Sequence, residues 1–156
     1  MSADTQTSLS PELETRRAAM ALLANAPEET LKAAWDALDT PPAHTVIRQP
    51  ETGLVMVRGR AGGTGAPFNL CEATVTRCVV ALDTGETGFG QSLGRSKAKA
   101  LYSAIFDALL QTKDWSEYVE THVLQPLNTA TQAAEHQTRE EVAATKVDFF
   151  TMVRGD

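Results

Sequence analysis

The spacing of apolar residues changes twice along this chain, near Thr45 and again at Ser96, and these two switches restrict the fold more than any other feature. Outside them, apolar residues recur at helical intervals. Between them lie short extended runs divided by glycine- and proline-rich connections. A helical block, a strand block and a second helical block in that order describe an α+β protein. Strands that follow one another without intervening helices pair as an antiparallel sheet.

The first block reads as a helical hairpin over residues 10–40, after a polar leader at 1–9. Ser10 is an N-cap with Pro11 at the first helical position, and Glu12 and Glu14 favour the positive end of the dipole. Leu13, Met20, Leu23 and Ala24 share a stripe, so this helix runs to about Asn25. Pro27, Glu28 and Glu29 start a second helix, with Leu31, Ala34, Trp35 and Leu38 on one face and Pro41-Pro42 as its stop.

Four extended runs are predicted over 45–93: Thr45–Gln49, Leu54–Arg60, Ala73–Leu82 and Glu86–Leu93. Val75, Arg77 and Val79 face one way in the third run, opposite Thr74, Thr76, Cys78 and Val80. The Asp83–Gly85 turn suits an antiparallel hairpin. Residues 96–146 return to helix. Ser96 caps a long helix with Ala100, Leu101, Ala104, Ile105, Ala108 and Leu109 on its stripe. Asp114 caps a shorter helix carrying Trp115, Tyr118, Val119 and His122, which Pro126 interrupts. A third, polar helix then covers 128–146 with a thin apolar face.

The last eleven residues differ from all of these. As a strand, Val147, Phe149 and Val153 point one way and Phe150 and Met152 the other, so both faces are apolar. Such a strand is normally covered on both faces. Val147, Phe149, Phe150, Met152 and Arg154 are therefore partner-docking candidates unless 147–156 is a central strand of its own domain.

At 156 residues the chain fits one domain over 10–156 and is long enough for a core without disulfides or metals. Its net charge of −6 opposes nucleic-acid binding. No run approaches the roughly 20 apolar residues of a membrane span, and the polar start is unlike a secretory signal. Cytoplasmic localisation with reduced Cys71 and Cys78 is expected. Residues 46–99 are nevertheless locally basic: Arg48, Arg58, Arg60, Arg77, Arg95, Lys97 and Lys99 outweigh Glu51, Glu72, Asp83 and Glu86.

That basic middle holds the candidate chemistry. Arg60 with Gly62, Gly63, Thr64 and Gly65 could form an anion nest beside a guanidinium. No Gly-Lys-Ser/Thr follows, so it is not a P-loop, and a plain connection between strands explains it equally. Arg95 and Lys97 flank Ser96 at a helix start, where free amides favour an anion and two cations oppose the dipole. A solvated basic helix end is the alternative. Thr76 and Arg77 could add contacts from a strand, or simply face solvent or a partner. Cys71 and Cys78 lack a zinc or iron–sulfur spacing, and His44, His122 and His136 are scattered, so no metal site is expected. No catalytic residue is assigned; nothing in the chain forms a self-contained catalytic machine.

Four segments resemble PhnG, the G-subunit family of the bacterial carbon–phosphorus lyase system: Arg48–Val55, Arg60–Gly65 with Phe68, Ala73–Arg77, and Val147–Asp156. Gly94-Arg95 with Lys97, and Asp107–Leu109, are similar too; Ser96 departs, where an acidic residue is expected. The resemblance implies a non-autonomous subunit that assembles with H, I and J subunits, the I subunit most directly, and needs the L subunit for activity. The implied activity is alpha-D-ribose 1-methylphosphonate 5-triphosphate synthase, which transfers methylphosphonate to the anomeric carbon of ATP ribose and releases adenine. ATP is then a substrate of the complex. Iron–sulfur and S-adenosylmethionine chemistry belongs to another subunit, and this chain needs no cofactor of its own. A stand-alone small-anion or nucleotide-binding module is the competing reading.

Overall fold

The computed structural model describes residues 10–145. The docking candidates Val147, Phe149, Phe150, Met152 and Arg154 lie outside them. Helices α1 (Pro11–Asn25) and α2 (Glu28–Asp36) precede strands β1 (His44–Arg60), β2 (Pro67–Leu82) and β3 (Thr87–Leu93). Helices α3 (Lys97–Leu110), α4 (Ser116–Val119) and α5 (Gln125–Ala144) follow. The sheet is antiparallel in the order β1-β2-β3.

The predicted helix starts form for the expected reasons. Ser10 Oγ accepts from Leu13 N at 3.4 Å and Ser96 Oγ from Lys99 N at 3.0 Å, each answering an amide the helix cannot pair. Asp114 does not cap α4. Thr112 holds that position instead, its hydroxyl accepting from Trp115 N at 3.2 Å and its carbonyl from Ser116 N at 3.1 Å. Nor does Pro126 break the chain's course: α4 passes through a π turn at Glu120–Leu124 directly into α5. The wider turn lies just before a residue that has no N–H to give, and Pro126 occupies the first turn of α5, where proline is tolerated.

Three strands replace the four predicted. Thr45–Gln49 and Leu54–Arg60 belong to the single strand β1, and Pro50-Glu51-Thr52-Gly53 stays extended between them. The pairing Arg48↔Val79 is followed by Glu51↔Arg77, so Gln49 and Pro50 together oppose Cys78. The segment is a bulge rather than a turn. β1 is an edge strand, where a residue without an N–H costs no ladder bond.

The even-numbered residues of β2 face the helices. Cys78, Val80 and Leu82 are buried, and α3 lies across them with Ile105, Phe106 and Leu109 at 2% exposure or less. Leu23 of α1, Leu31 of α2 and Val119 of α4 close the core from the other side of α3. Each such side chain contributes roughly 1.5–3 kcal/mol relative to exposure. On β3 the core-facing positions include Gly88 and Gly90. A Cβ on Gly90 would overlap Ala100 O and stand 2.7 Å from Ala104 N; one on Gly88 would overlap Ala104 O. The alanines of α3 thus rest their backbone directly on the strand.

The free edge of β3 is sealed by one buried carboxylate. Asp107 has a fully buried side chain and accepts from Arg16 Nε at 2.9 Å, Arg16 Nη2 at 2.7 Å and Phe89 N at 2.9 Å. Gln111 Nε2 donates to Thr87 O at 2.8 Å beside it. Arg16 is held above its ordinary pKa, first by its hydrogen bond to Asp107.

Among the described residues, the opposite end of the sheet is open. β3 ends at the Val75↔Leu93 pair, while β1 and β2 run on together to Arg60↔Pro67. Seven residues of β1 and eight of β2, at about 3.3 Å per residue, project roughly 23 Å as a two-stranded ribbon among the described residues.

Candidate functional site

Arg60 and the glycines form the turn at the tip of that ribbon. Gly62 (φ +60°) and Gly63 (φ +78°) take the left-handed conformation the turn requires. Gly65 N donates to Ala61 O at 3.0 Å, and a Cβ on Gly65 would come within 2.8 Å of that same oxygen. Arg60 folds across the turn, its Nη1 donating to Gly65 O at 3.1 Å. Thr64 is exposed beside it. The glycines build the hairpin, and one arm of the guanidinium is committed to holding it closed.

The other candidates sit elsewhere. Thr76 is fully buried; its hydroxyl donates to Gly94 O at 2.8 Å and meets Thr52 Oγ1 at 3.0 Å. Its contacts are internal, tying β1, β2 and the end of β3 together. Arg77 is exposed on the sheet face away from the helices, directly across from Glu51. Glu51 is already taken by Arg48, 2.7 Å away, so Arg77 has no ion pair among the described residues. Arg95 and Lys97 are exposed at the start of α3. The anion there is internal: Ser96 Oγ donates to Glu28 Oε2 from α2. A carboxylate of the chain's own thus sits where the free amides favour negative charge.

These residues make two stations, not one. Gly94 N donates to Thr74 O, which places Arg95 and Lys97 at the root of the ribbon, about 23 Å along the strand from Arg60. Arg77 lines a small cavity of about 90 Å³ with Arg48, Glu51 and Thr52. The larger cavities, about 520 Å³ beside Phe89 and about 750 Å³ between α1 and α5, are lined by none of the candidates. Among the described residues no three His, Cys, Asp or Glu side chains gather as a metal site, and no helix is long and apolar enough to cross a membrane.

The cysteines part company. Cys71 is exposed on the ribbon. Cys78 is buried in the core, donates to Arg48 O at 3.4 Å, and has its thiol pKa pushed up by burial. A thiol kept protonated and covered is inert. Iodoacetamide at neutral pH should alkylate Cys71 on the folded chain and reach Cys78 only when denaturant is added. Mass spectrometry of the tryptic peptides gives the order, and equal labelling would contradict the packing.

Residues 14–155 match the family described as phosphonate metabolism protein PhnG. The chain belongs to the PhnG family. It is also 52% identical, over 141 residues and 90% of each chain, to a protein of Rhizobium meliloti (strain 1021) named alpha-D-ribose 1-methylphosphonate 5-triphosphate synthase subunit PhnG.

The PhnG-like segments have distinct places in the fold. Arg48–Val55 is the bulged stretch of β1, Arg60–Gly65 the ribbon tip, Ala73–Arg77 the part of β2 that crosses the ribbon root, and Gly94–Lys97 the entry to α3. Sequence reasoning missed the partners that explain them: Thr52 for Thr76, Glu28 for Ser96, and Arg16 for Asp107. Only the last left a trace, since Asp107 is a charge inside the apolar run Ala104–Leu110. Such a residue is rarely buried without a counter-ion.

Proposed function

We propose that this chain is a non-autonomous subunit of alpha-D-ribose 1-methylphosphonate 5-triphosphate synthase in phosphonate catabolism. The similarity to the Rhizobium meliloti subunit over nine-tenths of both chains carries the reading. The dispersal of the cations supports it, because surface stations on opposite ends of a ribbon suit subunit contacts better than one ligand pocket. In this reading the chain works in the cytoplasm with the H, I and J subunits, the I subunit most directly, and the L subunit is needed for activity. ATP and methylphosphonate are substrates of the assembled enzyme. Arg60, Arg77, Arg95 and Lys97 pair with carboxylates of a neighbouring subunit, and the tail at 147–156 docks alongside.

Reconstitution tests this. Omitting the chain from an otherwise complete synthase should abolish adenine release from ATP and methylphosphonate, and the purified chain alone should turn over neither. Full turnover without it would overturn the proposal. Arg60→Ala should loosen assembly about five- to tenfold, as loss of a rim charge does, while leaving turnover per assembled complex unchanged. A fall in turnover per complex would instead put Arg60 on the triphosphate or phosphonate.

A further inference from the structure

Among the described residues, the outer ribbon is the part that contributes nothing to the buried core. It has no third strand beyond Val75 among the described residues, and Pro67–Glu72 is exposed throughout. Its large apolar side chains stand in water: Leu54 is 62% exposed, Met56 51%, Phe68 46% and Leu70 60%. They divide between the two faces. Leu54 and Met56 pair with Thr74 and Glu72 on one side. On the other, Val55 and Val57 pair with Ala73 and Cys71, and the site of the missing Gly59 side chain is bordered by Leu70 and Phe68, both at 3.8 Å. A two-stranded ribbon is only marginally stable by itself. One that carries large exposed apolar side chains on each face is stabilised by enclosure, since a flat contact covers a single face.

The charges give the surroundings a sign. Arg58 and Arg60 lie at the outer end, and neither forms an ion pair among the described residues. Glu72 is the single acid on the outer ribbon. We propose that the ribbon is a plug, inserted into a cleft of another subunit of the same synthase whose two walls are apolar and whose far end presents carboxylates to Arg58 and Arg60. This rests on the subunit reading above and adds to it the element, the two faces and the chemistry of the receiving cleft. A second copy of this chain fits less well. A twofold contact between ribbons buries one face of each and brings cationic tips toward uncharged or cationic neighbours.

The test uses the full chain and the other subunits of the synthase. One variant, Leu54→Ser with Met56→Ser, empties the first face; another, Phe68→Ser with Leu70→Ser, empties the second. Arg58→Glu with Arg60→Glu reverses the tip. Each face variant should weaken capture of the tagged chain by the remaining subunits at least about 30-fold, the scale of a buried hot spot. The charge reversal should weaken it too, and wild-type capture should fall with salt. Thermal midpoints of the isolated variants should stay within about 3 °C of wild type, because the altered side chains are exposed. Should a variant melt early, photo-crosslinkers at Leu54 and at Leu70 in an otherwise unaltered chain replace it, and both should label the same subunit.

Capture of wild type and both face variants alike would overturn the plug and leave the subunit reading standing. Loss with one face only would mean a flat contact and also overturn it. So would self-association of the isolated chain that the face variants abolish. Failure of the wild-type chain to be captured at all would sink the subunit reading, and the plug with it.

Discussion

Gly90→Ala should cost about 3 kcal/mol or more of folding stability, although it adds one methyl group. Overpacked cores usually lose 1–3 kcal/mol because some side chain can swing aside. Here none is available. The new Cβ would overlap the backbone oxygen of Ala100 and lie 2.7 Å from the nitrogen of Ala104, so only translation of α3 off the sheet makes room. That helix carries Ile105, Phe106 and Leu109, all nearly inaccessible to solvent, and moving it loosens the contacts of α1, α2 and α4 together. Against a total stability of 5–15 kcal/mol for ordinary domains, the loss should appear as a large drop in the urea midpoint. Gly53→Ala is the control. Nothing lies within 4 Å of its Cβ position, so the midpoint should move little. Similar midpoints for the two variants would mean that α3 does not rest on β3 as described.

The same glycines show what the sequence could and could not reveal. Gly88 and Gly90 look like weaknesses in a strand, since glycine packs nothing and lowers strand propensity. Their purpose becomes visible only when Ala100, Ala104 and Ala108 arrive opposite them, and that pairing of two small-residue rows is tertiary. Local signals fared well because their causes are local: Ser10-Pro11 and Ser96 started helices where capping chemistry places them. Pro50-Glu51-Thr52-Gly53 misled because its composition is that of a turn, whereas its position on an edge strand allowed a bulge. Pro126 misled likewise, the π turn before it being a tertiary accommodation rather than a sequence pattern. At the candidate site, the residue types in Arg60–Gly65 were legible, but not that one arm of Arg60 closes its own turn. The interior role of Thr76 depends on Gly94 and Thr52, one 18 and the other 24 residues away, and no local pattern encodes such a meeting.

Asp107→Ala should be the second severe substitution, costing about 3–5 kcal/mol, the range for removing one partner of a buried ion pair. Three donors converge on this carboxylate: two from Arg16 and the Phe89 amide. Without it, the Phe89 amide is left unpaired at the sheet edge, and the guanidinium keeps only a 3.4 Å contact to Thr87 O. Arg16→Ala removes the cation and strands a fully buried carboxylate, so it too should be costly, though the 31% exposure of the Arg16 side chain lets water soften the loss. The double variant decides between attraction and mere burial. If the pair acts as a unit, Arg16→Ala with Asp107→Ala should destabilise by clearly less than the sum of the singles, with a coupling of about 1–3 kcal/mol in urea titrations. Additive losses would mean that Asp107 acts through Phe89 alone and that α1 is held to β3 by its apolar contacts. Because this carboxylate lies at the β3 edge and the projecting ribbon is formed by β1 and β2, the singles should lower stability without changing the partner contacts of ribbon that remains folded.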